Sequence, residues 1–158
     1  MLQRPQTLLL TAAVVIMIIS FFFPLWIYSG ETGKVFLTAL AIKFVPNNEL
    51  TSIKVIPYPL ITGIIAVLSV SFTITKYKNR ILQMKLCSIN NLFFAAYLLV
   101  VAVLVEPSAR EFAESKGMNI GQFTFGFLAP AIAFICNFAA KWLINRDEKL
   151  VRSVDRIR

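Results

Sequence analysis

The stretch TLLLTAAVVIMIISFFFPLWIY, residues Thr7 to Tyr28, carries no charged side chain over 22 positions. An α-helix rises about 1.5 Å per residue, so about 20 such residues cross the roughly 30 Å hydrocarbon core of a bilayer. A signal peptide has an apolar core of about 7 to 15 residues that ends in small side chains, whereas this stretch ends in Trp26, Ile27 and Tyr28. We therefore predict that it remains attached as a first membrane span.

Three further apolar blocks follow the first, at about residues 58–75, 86–105 and 123–144, and Lys141 is their only charged residue. The 158-residue chain is 58% apolar and 15% charged, with a mean hydropathy of +0.73, which is too apolar for an ordinary soluble domain. The predicted fold class is an all-α integral membrane protein, a bundle of four transmembrane helices forming a single domain over residues 1–158.

The basic residues are distributed unevenly between the two sides of the predicted spans. The N-terminus, the turn at residues 76–85 and the segment from Lys141 onward together hold eleven Lys and Arg residues, and the two other loops hold five. Cytoplasmic loops carry the excess of Lys and Arg, so both ends of the chain are predicted to lie in the cytoplasm. The net charge of +8 is thus explained by membrane orientation, and no nucleic-acid partner is expected.

The first outer loop is long enough to have structure of its own. Turn-forming clusters at residues 29–33 and 46–49 bound a run rich in apolar and β-branched residues at 34–45. One prediction is a short extracytoplasmic hairpin that pairs this run with residues 50–56. The alternative is an interfacial helix over residues 35–44.

In the second outer loop, Ser108 and Glu111 have the S-x-x-E spacing of a helix capping box, and Gly117 supplies a stop. This pattern predicts a short helix over Ala109–Lys116. The C-terminal tail, residues 145–158, has apolar residues at helical spacing and predicts an amphipathic cytoplasmic helix that continues the fourth span.

Polar residues in the cytoplasmic half of the predicted spans form a candidate intramembrane polar layer, comprising Thr11, Ser71, Asn90, Asn91 and Asn137. Unpaired amides are costly in lipid, so Asn137 is expected to bond to Asn90 or Asn91 across a helix interface. One interpretation is that these bonds only hold the helices together. The other is that the layer lines a cavity for a lipid headgroup or a small solute.

A second candidate site is the set of cytoplasmic cations, which either orient the protein or dock an anionic lipid or a partner. These candidate contacts are Lys76, Lys78, Arg80, Lys85, Arg152 and Arg156.

Residues that carry catalysis are scarce in this chain. There is no histidine, no Asp or Glu within a predicted span, no phosphate-binding glycine loop and no G-x-S-x-G turn. We therefore predict no catalytic residue, no cofactor, no metal and no enzymatic activity.

Three segments carry a resemblance to a known family: MLQRPQT at residues 1–7, YKNRILQ at 77–83 and DEKLVRSVDRIR at 147–158. Together they resemble the bacterial membrane family of Bacteroidota designated domain of unknown function 4293. The resemblance extends over the whole chain, although Pro5 stands where an ordinary apolar residue is expected. It implies a four-span architecture in a bacterial inner membrane and no reaction.

Two functional hypotheses follow from these observations. The leading one is a non-enzymatic accessory or scaffolding subunit of an inner-membrane assembly that acts through its cytoplasmic face. The alternative is a small transporter or lipid-binding protein that uses the polar layer. The expected partners are the lipid bilayer with its anionic headgroups, and either another membrane protein or a second copy of this chain.

Overall fold

The computed structural model describes residues 5–31, 33–46, 52–118 and 120–155. The helices are α1 (Pro5–Ser20), α2 (Tyr58–Thr75), α3 (Arg80–Leu99), α4 (Glu106–Glu114) and α5 (Phe125–Asp155). The strands are β1 (Trp26–Gly30), β2 (Gly33–Leu37), β3 (Ala41–Pro46), β4 (Ser52–Val55) and β5 (Ile120–Phe123).

Three helices are long and apolar enough to cross a membrane: Tyr58–Thr75, Arg80–Glu114 and Phe125–Ser153. They correspond to the second, third and fourth predicted spans. Large apolar side chains on these helices point away from the protein interior, among them Leu68, Leu92 and Ile135, each more than 60% exposed. Such surfaces are typical of helices that face lipid, since lipid tails are as apolar as the side chains themselves.

The helix at the first predicted span is shorter than predicted. Helix α1 ends at Ser20, and the residues from Trp26 to Tyr28, which were assigned to the span, belong to strand β1. The chain turns at Phe21–Leu25, where Pro24 supplies no backbone N–H for a continuing helix. The aromatic and β-branched residues beyond the turn then pair with neighbouring strands, as their strand propensity favours.

A five-stranded antiparallel sheet in the order β4-β3-β2-β1-β5 replaces the small hairpin that we predicted. The run at 34–45 contains two strands joined by a turn in which Thr38 and Ala41 exchange hydrogen bonds. The predicted pairing survives in part, because β3 pairs with β4. The interfacial helix over 35–44 is wrong, because these residues alternate between the two faces of the sheet, as a strand requires.

The helix at the third predicted span continues into the predicted second outer loop without a break. A π-helical turn, Val100–Val105, joins α3 directly to α4, and Pro107 lies in the first turn of α4. The predicted separate helix at Ala109–Lys116 is thus the end of a longer one. The predicted capping box is also wrong: Ser108 lies within the continuous helix and its hydroxyl bonds to the Leu104 carbonyl.

The stop at Gly117 is confirmed, since this residue has φ of +76° and follows the end of α4. The continuous tail is confirmed as well, because α5 runs from Phe125 to Asp155 with no interruption at residue 144. The start of the predicted fourth span is one element too early, because Phe123 is the last residue of strand β5 and pairs with Trp26.

The helices pack side by side beneath the sheet. Helix α1 lies against α5 and α2, and α3 also lies against α5 and α2. Strand β2 packs against α4, and Val35 and Leu37 of β2 and Ala109 and Ala113 of α4 are all fully buried. The sheet and the helices thus share one hydrophobic core.

One polar contact joins the sheet to the long α3–α4 helix. The Tyr28 hydroxyl donates a hydrogen bond to Glu106 Oε1 at 2.7 Å, and Tyr28 is only 4% exposed. Burial raises the pKa of Tyr28 above its usual value of 10, and the hydrogen bond to Glu106 and the charge of that residue raise it further. The phenol therefore remains a donor at neutral and mildly alkaline pH.

We expect Tyr28→Phe to destabilise the protein by about 1.5 to 3 kcal/mol, because the buried Glu106 contact loses its donor. Tyr58→Phe is the matched control, since Tyr58 is 62% exposed, and it should cost less than about 0.5 kcal/mol. Unfolding in detergent measures both. The raised pKa of Tyr28 contributes stability that is fully present below about pH 10. The difference in unfolding free energy between the two variants should therefore be the same from about pH 7 to about pH 9. Equal losses for the two variants would contradict this.

Candidate functional site

Two polar regions lie at the end of the molecule where α1 begins and α5 ends. One is a buried amide cluster between α2, α3 and α5. The other is a basic surface formed by the turn between α2 and α3 together with the end of α5.

The amide cluster is centred on Asn90, which is fully buried. Its carbonyl accepts a hydrogen bond from the Ser69 hydroxyl at 2.6 Å. Its Nδ2 donates to Thr73 Oγ1 at 2.9 Å and to Asn137 Oδ1 at 3.4 Å. Asn90 on α3 therefore links α2 to α5.

Asn137 on α5 is also fully buried and completes the cluster. Its Nδ2 donates to Asn91 Oδ1 at 2.6 Å and to the Cys87 carbonyl at 2.8 Å. Both N–H groups of each amide, Asn90 and Asn137, are thus used within the protein. Asn90 and Asn137 therefore have no amide N–H left to donate to a solute.

The helical repeat explains why these residues meet. Ser69 and Thr73 are four residues apart on α2, and Cys87 and Asn90 are three apart on α3, so each pair lies on one helix face. Each of these faces is directed at a neighbouring helix, since α3 packs against both α2 and α5.

The structure brings together three of the five residues of the predicted polar layer. Asn90, Asn91 and Asn137 are in contact, but Thr11 and Ser71 bond to the carbonyls of Thr7 and Val67 on their own helices. A hydroxyl satisfied in this way does not need a partner on another helix.

Sequence reasoning missed Ser69 and Thr73. The Ser69 hydroxyl bonds to Asn90 on α3. The four-residue spacing of the two side chains was the available signal, because it places both hydroxyls on one face.

The basic surface is held to the helix ends by polar contacts on Asp147 of α5. Gln6 Nε2 donates to Asp147 Oδ2 at 3.2 Å, and Arg80 Nη1 donates to the Asp147 carbonyl at 3.4 Å. The start of α1, the start of α3 and the final part of α5 therefore lie at the same end of the molecule.

The predicted cationic contacts differ in what they touch. Lys76 lies over the Phe72 ring, 4.8 Å from its centroid, and Arg152 forms an ion pair with Glu148 at 3.0 Å. Lys78 and Lys85 are exposed. Arg156 lies outside the described residues.

A groove of about 350 Å³ separates the turn after α2 from the exposed part of α5. We call it the turn-tail groove, and it is lined by Lys78, Asn79, Arg80, Ile81, Glu148 and Val151. It combines two basic side chains with two apolar ones at its walls. Glu148 adds one acidic side chain to the same walls.

Within the part of the chain that the structure describes, no three His, Cys, Asp or Glu side chains are grouped as metal ligands would be. The two polar regions therefore offer packing and charge, and the described residues form no metal-binding group.

We expect Asn137→Ala to destabilise the protein by about 2 kcal/mol, because three hydrogen bonds are lost at about 0.6 kcal/mol each. Ser71→Ala is the control: it removes a hydroxyl of similar depth that bonds only to its own helix, and it should cost less than about 0.5 kcal/mol. Thermal unfolding in the same detergent compares the two. If Asn137→Ala were as mild as the control, the cluster would not hold the helices together.

The comparisons with known proteins agree with the resemblance noted in three segments of the sequence. A search of curated proteins found no match. A family model described as Domain of unknown function (DUF4293) matches residues 2–157, which is nearly the whole chain. On that match, and with its three membrane-length apolar helices, this chain belongs to the DUF4293 family.

Proposed function

We propose that this protein is a non-enzymatic integral membrane protein of a bacterial inner membrane, an accessory or scaffolding subunit that binds a partner protein at its cytoplasmic face. The turn-tail groove carries the proposal, because it is a charged and apolar recess at the basic end of the molecule.

The position of α1 beside α5 supports a membrane crossing by α1, in addition to the crossings by the three longer helices. Gln6 contacts Asp147 at one end, and at the other Gly126 packs closely against the carbonyl oxygen of Pro24. Residues 6–24 therefore run beside residues 126–147 of α5, a helical length of about 30 Å. Helix α1 and the turn after it match the thickness of the hydrocarbon core.

The positive-inside rule supports a cytoplasmic location for the basic surface. Lys and Arg residues near the ends of spans set orientation, and the Arg80 and Asp147 contact gathers the two richest basic segments at one end. The opposite end carries the five-stranded sheet, which we accordingly place outside the cytoplasm.

The amide cluster argues for a structural interior. Asn90 and Asn137 are fully buried, and their N–H groups bond within the protein. A transport site would need polar groups that a solute could reach. This observation counts against the transporter alternative and supports a protein that acts through its surface.

The walls and charges of the groove define the kind of partner. The Asp147 contacts with Gln6 and Arg80 hold the start of the tail against the helix ends, so one wall is fixed. Val151 is 44% exposed and Ile81 is 45% exposed on opposite walls, and Lys78 is exposed. A second copy of this chain would bring more positive charge to a basic surface. The complementary occupant is an apolar segment with acidic residues from a different membrane protein.

We expect single cysteines to report the orientation. In cells with an opened outer membrane, a membrane-impermeant maleimide should label Lys43→Cys on the exposed sheet at once and Lys78→Cys only after the inner membrane is permeabilised. The unsubstituted chain, with Cys87 and Cys136, controls for background. Labelling of Lys78→Cys in intact cells would place the groove outside and contradict the proposal.

We expect Val151→Glu to reduce co-purification of the partner at least tenfold, because a carboxylate in the groove wall repels an acidic segment and removes apolar contact. Leu150→Glu is the matched control. It adds the same charge one residue away and does not line the groove, so it should retain the partner. The measurement is quantitative affinity purification from native membranes in mild detergent. Equal recovery with both variants, or no stoichiometric protein with the unsubstituted chain, would contradict the proposal.

A further inference from the structure

The face of α5 opposite the turn-tail groove carries a separate recess. Helix α5 begins at Phe125, and about 20 residues span the hydrocarbon core, so the membrane boundary on this helix lies near residues 142–145. Trp142 is 57% exposed at this level. An aromatic residue with one polar atom is suited to this depth.

Two adjoining recesses share Trp142 and Asn145, and together we call them the Trp142 groove. The first, of about 310 Å³, lies between α3 and α5 and is lined by Met84, Phe138, Lys141, Trp142 and Asn145. The second, of about 400 Å³, extends along the tail and is also lined by Arg146, Lys149, Leu150 and Ser153.

The groove is apolar on its membrane side and basic on its cytoplasmic side. Phe138, 58% exposed, lies one helical turn before Trp142. Lys141 lies at the boundary, and Arg146 is stacked 5.9 Å from the Trp142 ring centroid. Lys149 continues the basic side by almost one more turn.

Among the described lining residues of this groove there is no acidic side chain. The two acidic residues nearest in sequence are engaged elsewhere: Asp147 accepts a hydrogen bond from Gln6, and Glu148 is paired with Arg152 and lines the opposite groove. The positive charges of Lys141, Arg146 and Lys149 are therefore uncompensated within the groove.

We propose that the Trp142 groove binds one anionic phospholipid of the cytoplasmic leaflet. An acyl chain lies along Met84 and Phe138, where it continues the hydrocarbon of the bilayer. Lys141 and Arg146 pair with the headgroup phosphate, as basic recesses between membrane helices do, and the Asn145 amide supplies a neutral donor. The apolar side of the groove selects a lipid over free phosphate. The basic side selects an anionic lipid over a zwitterionic one.

This lipid site is independent of the protein partner proposed above. The two grooves lie on opposite faces of α5 and share no described lining residue. Loss of the protein partner in Val151→Glu should leave lipid binding unchanged, and loss of lipid should leave the turn-tail groove intact.

The test uses the fluorescence of Trp142 itself. The chain has two tryptophans, so Trp26→Phe leaves Trp142 as the single reporter. The full-length variant is reconstituted in vesicles that contain either brominated phosphatidylglycerol or brominated phosphatidylcholine, since bromine quenches tryptophan on contact. We expect the anionic lipid to be preferred at the Trp142 contact by about fivefold.

Two charge-matched triple variants in this background separate a specific site from general surface attraction. Lys141→Gln with Arg146→Gln and Lys149→Gln should lower the preference to about one. Lys76→Gln with Lys78→Gln and Lys85→Gln removes the same charge outside the groove and should leave the preference near fivefold. Equal loss in the two variants, or no preference in the parent, would overturn the proposal. Melting temperatures establish that each variant is folded before it is compared.

Discussion

Asn137 crosses from α5 to α3, and the rest of the helical packing depends on the hydrogen bonds that it makes there. An amide in a hydrocarbon environment costs several kcal/mol unless its donors and acceptors are paired. Asn137 bonds to Asn91 and the Cys87 carbonyl, and it accepts from Asn90, which also reaches Thr73 on α2. Apolar contacts between membrane helices are nearly interchangeable with contacts to lipid, so they do not select a register. The amides do, because only one register pairs them all.

That register determines what the two ends of the molecule can present. With α5 held in place, Asp147 meets Gln6 and Arg80, and the tail leaves the helix ends at a fixed angle. One face of the tail then forms the turn-tail groove and the other extends the Trp142 groove. At the far end, the Tyr28 contact with Glu106 joins the sheet to the same set of helices. The amide cluster is thus buried in the interior, and both grooves lie on the surface at one end.

The parts predicted from the sequence are those that rest on local patterns. The apolar blocks predicted the positions of α2, α3 and α5. The apolar residues at helical spacing in the tail predicted the continuation of α5, and the turn-forming clusters marked where strands end. Of the candidate sites, a pairing of Asn137 with Asn90 or Asn91 followed from the cost of burying amides, and the structure shows both bonds. Thr11 and Ser71 were misplaced because depth along a helix does not reveal whether a hydroxyl faces a neighbour. The cationic groove beside Trp142 was not predicted, since its walls come from two helices.

The sequence by itself indicated a mostly helical membrane protein, because uncharged runs of about 20 residues have the length and apolarity of membrane-spanning helices. Only the tertiary structure decided that Trp26–Gly30 forms a strand between β2 and β5 instead of the end of a span. The physical reason is that an apolar aromatic segment suits a helix in lipid and a strand in a sheet equally well. Its choice depends on β2, which follows it in a hairpin, and on β5, which comes from a distant part of the chain, because these two strands supply its backbone hydrogen bonds.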